Sequence, residues 1–458
     1  MTPPNISITL AEAPSVPGRA GWGLAVICIG MFMLTVDGAA LNLALPAIRR
    51  ELQGSQTQLE WVVTAYTIPL AGLLLSTGAL GDMWGARRLF IVSLLGFALT
   101  SLLCALSASL PQLIAARALQ GVAAAGLLPM LLSLLAKAYR DKSARARAVN
   151  TLAVVGGIAM VVGPFGGGLL TEFVGWRAIF LINIPLGVGA ALAAPWCIRE
   201  TTRRAAPLDI PGGLAGIFAL TALTGGLIEG VAVGWRQPLV LVLLAAGGAG
   251  IAAFLLIERH LRQPMLPLAV FRNRAFSAAT AGGFAFQFGC YGMQFMLALF
   301  VQAQWALSPL RAGVMLLPFA VAVIATSMFL NPVLLPRGPR WMLRLGGAIA
   351  AAGALIAATV STPDTWPLLL AGTALVGVGA GIFSSALNVV AVSSIAPEYA
   401  GLASGIYHSA RQVGMAAGIA VLGGLVGGGA ALAGVRTGLL MAAACFAAIV
   451  VLAQRHID

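Results

Sequence analysis

The sequence predicts an all-α protein that crosses a membrane many times, on three observations. Of its 458 residues, 60% are hydrophobic and only 9% are charged, whereas a soluble domain carries about 25% charged residues. Apolar runs long enough to span a bilayer follow one another, separated by short polar stretches. The basic residues fall in those stretches, alternately many and few, which is how cytoplasmic loops differ from external ones. Runs of this length exclude an outer-membrane barrel, whose strands alternate in short segments. The net charge of +13 is scattered between spans, so it argues against a nucleic-acid surface.

Taken in order, residues 1–21 read as a polar cytoplasmic tail. Six spans follow at about 22–45, 59–80, 88–108, 111–136, 147–170 and 178–198. The first is no cleaved signal, because it is long, carries Asp37 and ends in Pro46 without a small-residue cleavage pattern. Two further spans are expected at about 209–230 and 237–257, and a last six at about 276–304, 312–335, 342–360, 366–392, 402–428 and 433–453. Fourteen spans place both termini on one side. Nineteen Lys and Arg fall on that side and six on the other, with Arg117 and Arg411 inside spans. Both termini are therefore expected in the cytoplasm. The division expected is a six-helix bundle over 22–200, two inserted helices over 201–262 and a second six-helix bundle over 263–458. A weak repeat supports it: Gly78, Asp82, Gly85 and Arg87 align with Asn331, Leu335, Gly338 and Arg340 at a constant offset of 253. Paired halves with a site between them are a known transporter plan.

Asp37 stands in an apolar run with no basic residue nearby until Arg49 and Arg50. A charged, unpaired acid there costs roughly 2.5–3.5 kcal/mol, so such acids face a bundle interior or a water path. Asp37 is therefore the first candidate for taking up and releasing a proton. Arg117 is always charged and needs a partner; Asp37, another polar group or backbone carbonyls can serve. Glu229, near the end of the seventh span, and His408 are lesser proton-coupling candidates. The fifth span presents Gly156, Gly157, Gly163, Gly166, Gly167 and Gly168 with Pro164, a nearly bare helix face against which a neighbour can seal. The ninth span carries Phe286, Gln287, Tyr291 and Gln294 without a charge, which suits a broad apolar pocket. No acid occurs between Glu258 and Asp364, so a neutral or singly cationic substrate fits that half better than a dication.

The stretch Gly78-Ala-Leu-Gly-Asp82-Met-Trp-Gly85-Ala-Arg87-Arg88 closes the second span as a tight, charged turn. It resembles the signature loop of the major facilitator superfamily. Leu113-Ile-Ala-Ala-Arg117-Ala-Leu-Gln120-Gly121 resembles that family's fourth-helix arginine motif, and Gly157 to Gly167 its fifth-helix antiporter motif. Gly175-Trp176-Arg177 through Asn183 and Pro185 resembles a further family segment. Asp37 with Asn42, Ala44, Leu45 and Pro46 is similar to the first-helix motif of the fourteen-helix drug:proton antiporters, as are Gly401 to Gly405 and Arg411-Gln412-Val-Gly414. The resemblance covers nearly the whole chain. Two departures stand out: Leu335 replaces the acid equivalent to Asp82, and His408 stands where relatives commonly carry Asn.

The resemblance implies a major facilitator fold and a proton-driven efflux transporter for lipophilic drugs, working by alternating access. It implies Asp37 as proton carrier and Arg117 as its tuner. The latch and gate would comprise Gly78, Asp82, Gly85, Arg87, Arg88, Gly163, Pro164, Gly167 and Arg411. Asn42, Gln120, Phe286, Gln287, Tyr291 and Gln294 would face the substrate. The alternative on the same fold is a dedicated exporter of one endogenous metabolite. A membrane-embedded enzyme or sensor, and a channel, fit less well. No phosphate-binding glycine loop with Gly-Lys-Ser/Thr occurs. His260, His408 and His456 are scattered, and the five cysteines (Cys28, Cys104, Cys197, Cys290 and Cys445) lie apart in apolar runs. No metal, cofactor, disulfide or nucleic-acid partner is expected; the partners expected are protons, lipid and a small molecule, bound by a monomer. The alanine-, glycine- and arginine-rich composition points to a bacterial inner membrane.

Overall fold

The structure, a computed structural model, describes residues 17–139, 141–200, 209–260, 268–360, 365–395, 400–426 and 431–457. The tail expected at 1–21 lies outside these residues as far as residue 16. Among the described residues every regular element is helical.

The first seven helices are α1 (Pro17–Leu52), α2 (Gln56–Trp84), α3 (Ala86–Leu106), α4 (Leu110–Ala138), α5 (Lys142–Phe173), α6 (Arg177–Leu181) and α7 (Asn183–Cys197). The sixth expected span is thus two helices. Pro185, at the third position of α7, has no N–H to return to Leu181, so the ladder breaks there. Next come α8 (Ile210–Val233) and α9 (Pro238–His260). The remainder is α10 (Arg274–Ala303), α11 (Pro309–Ala325), α12 (Asn331–Leu334), α13 (Pro339–Ala358), α14 (Trp366–Ser393), α15 (Ala400–Gly424) and α16 (Ala431–His456). Twelve described helical stretches are long and apolar enough to cross a membrane, and α2, bent by 59° between Leu74 and Ser76, makes a thirteenth. The remaining long helix is α15, more polar through Ser404, His408, Ser409, Arg411 and Gln412. Fourteen spans are compatible with this arrangement.

Packing explains which helices matter. The apolar stretch of α10 is 83% buried and that of α9 only 17%. α10 is therefore a central helix and α9 a peripheral one with an apolar outer face, as a lipid-facing helix requires. Before α8, α1 packs on α5 and α7, α2 on α4, and α3 on α4 and α7. After α9, α13 packs on α14 and α16, and α10 on α15 and α16. The two sets meet where α5 packs on α11 and α2 on α15, while α8 leans on both α2 and α15.

Two of the long helical stretches break. Near the bend of α2, the Thr77 hydroxyl lies 3.0–3.1 Å from the carbonyls of Leu73 and Leu74 and 2.6 Å from that of Ala125 on α4. A hydroxyl competing for its own helix carbonyls loosens the turn. After α11 the chain passes through a π-helical turn, Thr326–Leu330, before α12. There Asn331 Nδ2 donates to the Gly381 carbonyl (3.0 Å) and to Ser385 Oγ (2.8 Å) on α14.

Candidate functional site

Asp37 and Arg117 meet. Both are 0% exposed, and Arg117 Nη1 donates to Asp37 Oδ2 at 2.6 Å. The other carboxylate oxygen accepts from Gln120 Nε2 (3.1 Å) and Asn183 Nδ2 (3.3 Å). Gln120 Nε2 also donates to Ser101 Oγ at 2.8 Å, and its Oε1 accepts from Arg117 Nη1 at 2.6 Å. Arg117 Nε donates to the Val62 carbonyl at 3.2 Å, and its guanidinium lies 4.3 Å from the Tyr66 ring centre. One acid thus draws donors from α4 and α7, and its arginine reaches α2. Such a pair is stable only when its remaining polar capacity is met, and here neutral amides meet most of it. Gln120, expected at the substrate cavity, is spent inside this network. Asn183 as a partner of Asp37, Ser101 as a partner of Gln120, and Val62 and Tyr66 as partners of Arg117 are not legible in the sequence, because neutral residues distant in the chain carry no spacing signal.

A small cavity of about 30 Å³ lies where α1, α5, α10 and α11 meet, with Asn42, Pro164, Tyr291 and Gln294 among its lining. That is room for a water or two. Asn42 Oδ1 and Gln294 Oε1 are buried there without a partner. Phe286 and Gln287, expected beside them, are placed one layer back. Phe286 packs edge-on against Phe383 with centroids 5.2 Å apart, and Gln287 is 4% exposed.

The glycine face of α5 is used on two sides. A Cβ on Gly163 or Gly167 would come within 2.6 Å of Ala39 or Ala40 on α1. On the α11 side, a Cβ on Gly168 would stand 2.7 Å from the Pro309 carbonyl, and one on Gly313 would stand 2.6 Å from the Pro164 carbonyl. Only hydrogen at these places lets α5 wedge between α1 and α11. At the end away from the termini, Glu172 Oε2 accepts from the Leu310 N–H at 3.1 Å, capping α11 across the seam. Met328, Phe329 and Val333, at the other end of that helix pair, are 48–73% exposed. The seam is closed on the side away from the termini.

In the charged turn after α2, the acid and the two arginines each reach a neighbouring helix end. Asp82 pairs with Lys137 of α4 (3.4 Å), while Arg87 and Arg88 both reach Glu200, at 3.6 Å each. Arg87 Nη1 also donates to the Ile198 carbonyl at 3.0 Å. Gly85 turns the chain with φ 97°, a conformation that favours glycine, while a Cβ on Gly78 would meet open space.

Arg411 lies near the middle of α15. It is half-buried, donates to Gln287 Oε1 at 3.3 Å, and stands 5.0 Å from the Phe286 ring and 5.7 Å from the Tyr407 ring. His408 packs on Tyr407, with centroids 5.5 Å apart. Glu229 is half-buried and lies within electrostatic reach of Glu60, an acid of α2 only 1% exposed. Gln56 Nε2 donates to Glu60 at 3.3 Å. Sequence reasoning passed over Glu60 because it sits in the first turn of its span, where an acid ordinarily reaches water. Among the described residues no group of three or more His, Cys, Asp or Glu could hold a metal.

Membrane-length helices in two packed sets, a sealed ion pair and a small, mostly apolar cavity on the seam define a polytopic membrane transport protein. The model of the Major Facilitator Superfamily matches residues 27–419, and the chain belongs to that family. A puromycin resistance protein of Streptomyces alboniger is 36% identical across 92% of this chain and 85% of its own length. A methylenomycin A resistance protein of Bacillus subtilis is 34% identical across 88% of this chain and 87% of its own. A tetracenomycin C resistance and export protein of Streptomyces glaucescens is 32% identical across 90% and 77%. Among solved structures, the human organic anion transporter MFSD10 superposes with a TM-score of 0.66 at 16% identity, covering 96% of this chain and all of that one; it speaks for the fold alone.

Proposed function

We propose that this protein exports lipophilic antibiotics or related small molecules in exchange for protons, by alternating access. The observation that carries the reading is the sealed Asp37–Arg117 pair. A cation and two amides occupy the carboxylate oxygens of Asp37. Protonation would release Arg117 from Asp37, and the network joining α1, α2, α4 and α7 would loosen. Glycine-lined contacts of α5 with α1 and α11 form the surface on which the seam would reopen. Relatives named for antibiotic resistance support the substrate class. The proton gradient is the driving force, with no cofactor and no catalysis. The setting is the bacterial inner membrane, with both termini cytoplasmic by the distribution of basic residues and the seam closed to the outside. The bundles over 22–200 and 263–458 rock about the 201–262 pair, in a monomer.

The test is proton movement in acid-loaded vesicles bearing the purified protein, read with a pH-sensitive dye. Substrates should drain the gradient with wild type and not with Asp37→Asn. Equal responses from both would remove Asp37 as carrier. A second reading, a dedicated exporter of one compound, is favoured by relatives each named for a single antibiotic. A competition panel separates the two, since a specialist ignores dissimilar compounds.

A further inference from the structure

We infer that Arg411 and Tyr407 form a subsite for an acidic group, a carboxylate or comparable single anion, carried by an otherwise apolar molecule. The inference rests on the exporter reading and names the chemistry of the cargo. A guanidinium offers five N–H donors and no acceptor. Arg411 spends one on a neutral partner, Gln287 Oε1 at 3.3 Å, and rests against the rings of Phe286 and Tyr407. Its Nε is buried with no partner. Beside it the Tyr407 hydroxyl, on a side chain 0% exposed, is also without an aligned partner. The Tyr407 hydroxyl is close enough to share a hydrogen bond with Arg411, and the only acceptors the pair is given among the described residues are neutral ones.

Among the described residues no carboxylate forms an ion pair with Arg411. The stretches forming α10 to α16 contain no Asp or Glu at all, and Asp37 is committed to Arg117. Unlike that pair, Arg411 is not sealed: it and the neighbouring His408 and Gln412 remain part-exposed on α15. Tyr291, which lines the cavity on the seam, lies within electrostatic reach of Arg411. An entering carboxylate would therefore accept charge-assisted hydrogen bonds from the guanidinium, the strong kind. An ammonium at the same place would meet a cation and no acid.

The test uses three probes of one ring system: anthracene-9-carboxylate, anthracene-9-carboxamide and 9-aminomethylanthracene. Equilibrium binding to the purified full chain is measured without a gradient. The carboxylate should bind roughly tenfold tighter than the amide, as one charge-assisted bond provides, and the amine weakest. Arg411→Gln should equalise carboxylate and amide, while Arg411→Lys keeps the preference. Tyr407→Phe, which loses only a hydroxyl, should weaken the carboxylate and spare the amide, and it decides the matter if Arg411→Gln does not fold. Equal binding of carboxylate and amide by wild type, or a preference surviving in folded Arg411→Gln, overturns the subsite. The two readings fail separately: a carboxylate held through Arg411 but never moved defeats export, and movement without carboxylate preference defeats the subsite.

Discussion

The helices before α8 and those after α9 repeat one another in backbone and differ in charge. At the offset of 253, the positive-φ Gly85 has its counterpart in Gly338, with φ 97° and 84°. Arg87 reaches the Ile198 carbonyl at the end of α7, and Arg340 reaches the Gln454 carbonyl at the end of α16. The bend of α2 between Leu74 and Ser76 falls where the same offset places the π turn Thr326–Leu330. Thr77 ties that bend to α4, and Asn331 ties the π turn to α14. Charge does not repeat: the first region encloses a neutralised ion pair, and in the second, among the described residues, Arg411 stands within its helix without an acid. A shared scaffold with unshared charge suits a protein whose halves move alike but bind different things.

The largest effect should come from breaking the sealed pair. Replacing Arg117 by Gln, or Asp37 by Ala, leaves a buried charge uncompensated and should destabilise by about 3–5 kcal/mol. Thermal unfolding in detergent reads this as a drop in melting temperature. Asp37→Asn combined with Arg117→Gln should regain most of the stability while remaining uncoupled from protons. A double variant as unstable as the worse single one would show that the network, and not the charge balance, holds these helices.

The comparison sharpens if the second region is given what it lacks. Gln287→Glu would set a carboxylate against Arg411 and give it an ion-pair partner. A charge-assisted hydrogen bond is worth about 1.5–3 kcal/mol. An internal partner of that strength should lower anthracene-9-carboxylate affinity roughly ten- to a hundredfold and leave the carboxamide unaffected. Unchanged carboxylate binding would mean that the ligand sits elsewhere.

How much of this was legible in the residues differs between backbone and side chain. Long apolar runs and the alternation of basic loops outlined the helices, because a membrane leaves the backbone few choices. The α15 span was read despite its polar residues, since its place was fixed by its neighbours. Asp37 and Arg117 announced themselves as charges where charge is costly. Their neutral partners did not, since Asn183 and Ser101 become informative only when the fold carries the one to Asp37 and the other to Gln120. Glu200 was missed for a related reason: Asp82 lies nearer to Arg87 in the chain, but the turn at Gly85 aims Arg87 toward the end of α7.

The smallest effect concerns that turn. Glu200 holds Arg87 and Arg88 at a partly exposed site, where ion pairs contribute at most about 1 kcal/mol. Glu200→Gln should therefore hardly change the melting temperature. Its consequence should lie in the rate of switching, because the described partners of Asp82, Arg87 and Arg88 all precede α8. With the seam closed on the side away from the termini, those charges do not bridge to the later helices. If the turn closes the other side in the alternate state, freeing Arg87 and Arg88 from Glu200 should speed closure and raise transport at low substrate, with affinity unaltered. Arg340→Gln, at the equivalent turn with no acid at Leu335, should leave the rate unchanged. Equal effects from both variants would mean that the two turns act alike, and that the missing acid at Leu335 carries no mechanical meaning.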